Sequence, residues 1–250
     1  ESNKHLLIIL LAIFIFFGCA RDNPETITNP PNIQKIYPIN TYTLTIPEPS
    51  GIAYNSKNNS LMVVSDGYPN IYEIGFTGIT LNTIIATGSD MEGITLSKNC
   101  DTIYVVEEKK KVVTAFNLNG VKLYSFSANV AASDNSALEG ITINKTTNNL
   151  YVINEKDPRM ILGYNNLTEI WRKTIDFASD ISDIYYEEST NCFWLISDES
   201  AKIMKLSITG ELLKEWEIPF TKGEGITIVD DKIYVVNDLD GKLYVFQKPS

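Results

Sequence analysis

The chain has 250 residues, and 31 acidic side chains against 21 basic ones give it a formal net charge of −10 at pH 7. Such an acidic balance argues against nucleic acid and against an anionic bilayer surface as binding partners. The length suits one large all-β domain. The only histidine is His5, and we expect its segment to be removed, so the mature domain would lack the commonest general base.

Residues 1–18 have the features of a bacterial signal peptide. Lys4 precedes an uninterrupted apolar run of twelve residues, from Leu6 to Phe17. A run of this length is too short to span a bilayer but is typical of the apolar core of a signal peptide. The alternatives are an ordinary signal peptide that is cut near Ala20 and a short membrane anchor.

The cysteine that follows indicates a lipid anchor. Gly18 stands directly before Cys19, an arrangement that resembles the lipobox, in which the cysteine is lipidated and becomes the new N-terminus. Residues 19–34 are polar and proline-rich, so we predict a flexible tether there. The expected location is the cell envelope, as a lipoprotein of the bacterial outer membrane or one that faces the periplasm.

A short motif then recurs along the rest of the chain. Glu-Gly-Ile-Thr begins at Glu92, Glu139 and Glu224, and weaker copies begin at Ser50 and Ser182. The corresponding second positions are separated by 42, 47, 43 and 42 residues. A period of 40 to 50 residues with strand-like composition is typical of a β-propeller.

A second feature recurs in the same phase. Each motif is followed about fifteen residues later by an apolar run that ends in a polar residue and an acid, at 61–66, 103–108, 150–155, 193–198 and 233–238. Turn residues divide each repeat into four short strands. We therefore predict an all-β domain over residues 35–250, a five-bladed β-propeller with four-stranded antiparallel blades. The blades are expected at about residues 50–90, 91–130, 138–177, 181–219 and 223–248.

The last repeat contains only three strands, and the missing one has a candidate near the N-terminus. Over residues 40–46 the apolar side chains of Tyr42, Leu44 and Ile46 alternate with threonines. We predict that this strand pairs into the last blade and closes the ring, which leaves no open edge at the seam. Cys100 and Cys192 fall in blades that are not neighbours, so we expect no disulfide.

The position of the motif acids predicts a cluster at one end of the central channel. In an antiparallel hairpin the start of one strand faces the end of the next. Each motif acid should therefore lie beside the polar residue that closes the second strand. The expected pairs are Glu92 with Glu107, Glu139 with Asn154, and Glu224 with Asn237, and Asp183 takes the corresponding place in the fourth repeat.

Clustered carboxylates require raised pKa values or a bound cation. Oxygen ligands without histidine or paired cysteine suit Ca²⁺ better than zinc, and a ring drawn from separate blades forms a flexible cage that suits Mg²⁺ less well than Ca²⁺. We predict a Ca²⁺ site with the ligands Glu92, Glu139, Asp183, Glu224, Asn154, Asn237 and Glu107. The alternative is that these acids cap strands by accepting hydrogen bonds from neighbouring N–H groups.

The repeats resemble those of the SdiA-regulated (YjiK-like) family of bacterial propellers, which is distantly similar to NHL-type propellers. The resemblance runs from about Tyr42 to Phe246 and rests on the three Glu-Gly-Ile-Thr copies, Ser50-Gly51-Ile52-Ala53-Tyr54, Val64-Ser65-Asp66 and Tyr151-Val152-Ile153-Asn154-Glu155. It implies a five-bladed propeller with a calcium site near the axis, in an exported protein of unassigned activity. It also implies that Glu92, Glu139 and Glu224 are site residues, with Asp183 in the divergent repeat.

The sequence is compatible with two functions and favours the first. One is a monomeric, lipid-anchored binding module whose acidic face takes a protein, peptide or small ligand, with contact candidates Asp66, Tyr68, Arg159 and Asp198. The other is a calcium-dependent hydrolase similar to lactonases and phosphotriesterases, in which the metal polarises the substrate. Without histidine, Glu107 or Asp66 would have to act as the base.

Overall fold

A computed structural model describes residues 33–131 and 136–249 of the chain. The described residues form strands and turns, and no helix that could cross a membrane occurs among them. The expected signal peptide, the lipidation site Cys19 and most of the tether lie outside the described residues.

The strands form five blades around a central axis, as the repeats predict. Two strands near the N-terminus, β1 (Gln34–Lys35) and β2 (Asn40–Thr43), precede the first blade. Blade one contains β3 (Pro49–Asn55), β4 (Ser60–Ser65), β5 (Asn70–Ile74) and β6 (Thr80–Ile85). Blade two contains β7 (Met91–Leu96), β8 (Thr102–Glu107), β9 (Val112–Asn117) and β10 (Lys122–Ser127). Blade three contains β11 (Leu138–Asn144), β12 (Asn149–Asn154), β13 (Met160–Asn165) and β14 (Thr168–Thr174).

The last two blades complete the ring. Blade four contains β15 (Asp183–Glu187), β16 (Cys192–Ser197), β17 (Lys202–Ser207) and β18 (Leu212–Glu217). Blade five contains β19 (Gly223–Val229), β20 (Lys232–Asn237) and β21 (Lys242–Gln247), and β2 is its fourth strand. Each blade is antiparallel, and β3, β7, β11, β15 and β19 are the innermost strands.

The N-terminal strand closes the ring as the alternating pattern predicts. In β2, Thr41 lies opposite Tyr244 of β21, and the Leu44 amide donates to the Gly241 carbonyl at 2.8 Å. The short strand β1 was not predicted. It adds a fifth strand to blade four, with Gln34 opposite Trp216 in a parallel pair, and two residues in a proline-rich segment carry no periodic signal.

The hydrophobic core lies between the faces of neighbouring blades. Apolar side chains from adjacent blades form separate clusters, and in one of them Trp194 stacks on Trp216 with ring centroids 5.3 Å apart. Burial of such faces is the main stabilising contribution to a propeller. Cys100 and Cys192 are buried and free, which confirms that they form no disulfide.

Near the axis the innermost strands approach each other closely, which explains the motif glycines. A Cβ atom on Gly51 would lie 2.4 Å from the Glu92 carbonyl oxygen, and one on Gly93 would lie 2.6 Å from the Glu139 carbonyl oxygen. Such distances leave no room for a side chain. Blade four has Asp183 at this position, and its carboxylate points toward Gly140 of blade three.

Candidate functional site

A β-bulge opens the innermost strand of four blades and positions the motif acids. In blade two, Met91 lies opposite Glu107 and Ile94 lies opposite Val105, so Glu92 and Gly93 together face one residue of the partner strand. Blades one, three and five show a register shift at the same place. Bulges redirect side chains at the rim of a sheet. Here the bulge directs the motif acids to the mouth of the channel.

The mouth is a strongly acidic cavity of about 310 Å³. The motif acids at the bulges and the acids that follow the second strands line this cavity. Nine carboxylates, two lysines and one serine contribute: Glu48, Ser50, Asp66, Glu92, Glu108, Glu139, Glu155, Lys156, Asp198, Lys222, Glu224 and Asp238. Three of the expected ligands, Glu92, Glu139 and Glu224, are therefore brought together.

Glu107 does not line this cavity, although it was expected beside Glu92. Its carboxylate accepts hydrogen bonds from the Thr114 hydroxyl at 2.6 Å and the Ser89 amide at 3.0 Å, and Lys110 Nζ lies 2.6 Å away. Burial opposes its ionisation, but these donors outweigh burial and lower its pKa. The bulge places Met91 opposite Glu107, so the expected pair is displaced by one residue.

The two asparagines also turn away from the cavity. Asn154 donates to the carbonyls of Lys156 and Pro158 at 2.7 and 2.8 Å. Asn237 donates to the Thr221 carbonyl at 2.6 Å. Both side chains fix the backbone of neighbouring loops and do not point at the axis, so the structure does not bring them to the motif acids.

Asp183 is buried below the cavity, at the level where the other blades carry glycine. One of its carboxylate oxygens accepts a hydrogen bond from the Ile226 amide of blade five at 2.8 Å. The other oxygen, Oδ1, has no hydrogen-bond partner among the described residues. Burial raises the pKa of Asp183 well above its ordinary value, against the effect of the backbone donors. The protonated form is thereby favoured.

The motif acids share this electrostatic situation. Burial raises the pKa of Glu92 to about 8, although the Ser50 hydroxyl donates to its carboxylate at 2.5 Å, and the charge of Asp66 adds to the rise. Burial, followed by the charge of Glu92, raises the pKa of Glu139 well above its ordinary value. Burial also raises the pKa of Glu224 to about 7. The cavity therefore resists full ionisation at neutral pH.

The acids around them titrate abnormally too. Burial raises the pKa of Asp66 to about 6, and the neighbouring charges of Glu48 and Asp238 contribute. Burial likewise raises the pKa values of Glu108 and Glu155. Perturbed carboxylates collected in one cleft are typical of a functional site.

The two lysines of the cavity pair with only some of its carboxylates. Lys222 Nζ lies 2.8 Å from Asp198 and 3.5 Å from Glu224. Lys156 Nζ lies 2.7 Å from Glu155, on the blade-three side. The carboxylates of Glu92 and Glu139, which come from blades two and three, have no lysine partner among the described residues.

Two groups of carboxylates have the geometry of a cation site. Asp90, Glu92 and Glu108 form one group, and Glu108, Glu139 and Glu155 form the other, with one oxygen of each member within 4.8 Å of the others. Glu108 belongs to both groups. Carboxylate oxygens at this spacing can hold a hard divalent cation. Asp183 belongs to neither group.

The four contact candidates lie in different environments. Asp66 and Asp198 line the cavity. Tyr68 is 52% exposed and is not among the lining residues. Arg159 is engaged, since its guanidinium donates to the carbonyls of Ile175 and Ser179.

Sequence reasoning missed three lining acids that follow second strands, which are Glu108, Glu155 and Asp238. The final acid of each second-strand run was the signal for them.

Comparison with known proteins agrees with the fold and the repeats. The family model described as SdiA-regulated matches residues 39–250. The chain belongs to the SdiA-regulated family. This match includes every lining residue of the acidic cavity, so the cavity lies within the family domain. No curated protein matches the sequence significantly.

Several solved structures are similar in fold to this SdiA-regulated protein. Glutaminyl cyclase from Myxococcus xanthus has a TM-score of 0.66 at 9% identity, covering 86% of this chain and 98% of that one. Virginiamycin B lyase from Staphylococcus aureus has a TM-score of 0.55 at 14% identity, with 83% and 98% covered. A gluconolactonase from Xanthomonas campestris has a TM-score of 0.56 at 9% identity, with 83% and 88% covered. At these identities the likeness concerns the fold alone.

Proposed function

We propose that this chain is an exported, lipid-anchored propeller that binds Ca²⁺ at its acidic mouth and acts as a monomeric binding module. The observation that carries the proposal is the presence of two clusters of three carboxylates, both of which include Glu108. The lipid at Cys19 is the only membrane contact in this proposal, and the cell envelope is the location.

The proposed calcium ligands differ in part from those expected from the sequence. Glu92 and Glu139 are kept, and Glu108 joins them because its carboxylate lies within 4.8 Å of both groups. Glu107, Asn154 and Asn237 are left out because their side chains are used in the loops. Ca²⁺ tolerates irregular sets of six to eight oxygens, including water, and such a set suits ligands from separate blades.

A bound cation would resolve the charge conflict in the cavity. Burial and mutual repulsion hold the pKa values of Glu92 and Glu139 above their ordinary range. A divalent ion among them favours the ionised forms and would join blades two and three through their inner strands. The loops around the mouth, including Asp66 and Asp198, would then contact a protein, peptide or small ligand beside the ion.

Calcium binding can be tested by thermal unfolding. The chelated protein is titrated with Ca²⁺, and the melting temperature should rise, since a ligand at 100 times its Kd adds about 2.7 kcal/mol. The Glu108→Gln variant should lose most of this rise. Glu169→Gln is the matched control, because Glu169 pairs with Arg172 on the outer strand of blade three. An equal calcium response in Glu108→Gln, or none in the unmodified protein, would disprove the site.

One observation supports a calcium-dependent hydrolase as the second candidate. Asp66 lines the cavity with a pKa of about 6, which suits a general base near neutral pH. Glu107 lies outside the cavity, so Asp66 is the better base of the two. Turnover of lactone or phosphotriester substrates that needs Ca²⁺ and is abolished in Glu139→Gln would favour the enzyme. Calcium stabilisation without turnover would favour the binding module.

A further inference from the structure

The opposite end of the channel is a second cavity, of about 320 Å³, with a different chemistry. It is formed where the five inner strands run away from the acidic mouth. The residue after the motif isoleucine lines it in every blade, and these residues are Ala53, Thr95, Thr142, Tyr185 and Thr227. Its volume is at the lower end of the range for small-molecule pockets.

The hydroxyl groups of this cavity are available for a ligand. Thr95 and Thr227 are buried, yet neither hydroxyl has a hydrogen-bond partner among the described residues. The Tyr185 hydroxyl likewise has none there. Thr142 accepts from the Tyr186 amide at 2.9 Å, and its own proton remains free to donate. Hydroxyls without partners in a cavity are groups that a polar ligand can satisfy.

The buried charge in this cavity is already neutralised. Glu187 lies 2.6 Å from Lys248 Nζ and accepts a hydrogen bond from Trp194 Nε1 at 3.1 Å. Burial opposes ionisation of Glu187, but the Lys248 ammonium leads the contacts that hold its pKa at about 2. The remaining charged residues that line the cavity have both signs: Lys145 is positive, and Glu188 and Asp230 are negative. Two lysines and three carboxylates line the cavity and sum to a formal charge of −1, far below that of the acidic mouth.

We propose that this cavity binds a neutral, hydroxyl-rich molecule of about one or two sugar rings. Threonine and tyrosine hydroxyls both donate and accept, so they match the hydroxyls of such a ligand in either orientation. The side chains of Ile94 and Ile228 provide apolar surface for its C–H groups. This proposal is independent of the calcium site proposed above for the acidic mouth at the other end of the channel.

The fold gives such a ligand one orientation. Ala53 in blade one and Tyr185 in blade four replace the threonine that the other three blades carry. The ring of hydroxyls therefore lacks one member in blade one, and in blade four a longer side chain carries the hydroxyl. A five-fold pocket would hold a small ligand in equivalent poses, whereas this arrangement distinguishes them.

The test is binding of glucose, N-acetylglucosamine, trehalose, glycine and alanine to the full chain, measured by saturation-transfer NMR and calorimetry in Ca²⁺ and again in chelator. At least one sugar should bind. The Thr95→Val/Thr227→Val double variant keeps the shape and should weaken binding by roughly tenfold or more, and Tyr185→Phe should weaken it severalfold. Thr41→Val on the exposed strand β2 is the matched control and should bind normally.

The contrary outcomes are equally distinct. Absence of binding for every sugar, or equal affinity in the double variant, overturns the proposal. Binding that disappears in the chelator assigns the sugar to the acidic mouth and also overturns it. Binding of glycine or alanine in place of sugars would show a zwitterion site and not a sugar site. The melting temperature of each variant identifies any loss that comes from misfolding.

Discussion

Glu107 and Glu108 are neighbours in sequence, yet the fold gives them opposite properties. Glu107 receives three donors inside blade two, and these outweigh its burial and lower its pKa. Glu108 faces the acidic mouth and accepts a hydrogen bond there from the Ala137 amide at 3.1 Å. Burial, with the nearby charge of Asp90, raises the pKa of Glu108. Strand alternation sends the first carboxylate into the blade and the second into the cavity.

Stability of the calcium-free protein should fall as pH rises from 5 to 8. The pKa values of Glu92 and Glu224 are about 8 and about 7 in the folded protein, against an ordinary value of 4.5. Between these values the folded state binds more protons than the unfolded state, so the unfolding free energy decreases with pH. A loss of about 1–3 kcal/mol corresponds to a melting temperature lower by roughly 2–10 °C for a domain of this size.

Calcium should reverse this trend, since it binds the ionised carboxylates. The measurement is the melting temperature at pH 5, 6.5 and 8, in chelator and in saturating Ca²⁺, and the gap between the two should widen with pH. The Glu92→Gln substitution should reduce the dependence of the melting temperature on pH in chelator. Below pH 4.5 groups such as Glu187, with a pKa of about 2, begin to dominate, so the range stops at pH 5. A chelator curve that rises toward pH 8 would contradict the assignment.

At the scale of the strand, the bulge and the glycine beside it determine how closely the blades meet. Gly93→Ala would place a Cβ atom 2.6 Å from the Glu139 carbonyl and 2.7 Å from Gly140 Cα. Both neighbours are backbone atoms of the next inner strand, so the ring must expand. We expect a loss of at least about 3 kcal/mol in urea unfolding, or failure to fold.

Gly75→Ala is the matched control for this substitution. Gly75 lies in blade one, and a Cβ atom there would come no closer than 3.9 Å to its nearest neighbour, the Ile79 carbonyl oxygen. We expect a change within about 0.5 kcal/mol. Similar losses in both variants would show that the ring tolerates expansion and that the glycines have another role.

The same bulge marks the limit of what the sequence could predict. The motif period gave the blade number, the strand order and the position of Glu92, Glu139 and Glu224 at one mouth. Regular pairing, however, placed Glu107 opposite Glu92, and the extra residue of the bulge moves that pairing to Met91. A one-residue shift reverses which face a side chain occupies. Bulge geometry depends on the contact with the next blade, which periodicity does not contain.

For the whole molecule, departures from the repeat fall in the same two blades at both ends of the channel. Blade one has Ser50 at the acidic mouth and Ala53 at the far end. Blade four has Ser182 in place of the motif acid, Asp183 in place of the motif glycine and Tyr185 at the far end. Blades two, three and five keep the motif acid and the threonine. The innermost strand of each blade thus contributes side chains to both ends of the channel. The two divergent blades make both ends asymmetric.

Closure of the ring by β2 should be essential for stability. A chain that begins at Ile33 retains β1 and β2, and it should melt within about 2 °C of the full chain because residues 33–250 form one compact unit. A chain that begins at Pro47 loses β2 together with the buried side chains of Leu44 and Ile46, which are 6% and 3% exposed.

Removal of either apolar side chain alone costs about 2–5 kcal/mol, and the exposed edge of β21 invites association. We therefore expect the shorter chain to melt at least about 10 °C lower or to aggregate, as measured by calorimetry and light scattering. Addition of a peptide with the sequence of residues 38–47 should partly restore its melting temperature, since the peptide can pair with β21. If both truncated chains melted alike, the ring would be held by the contacts between blades one and five without the strand.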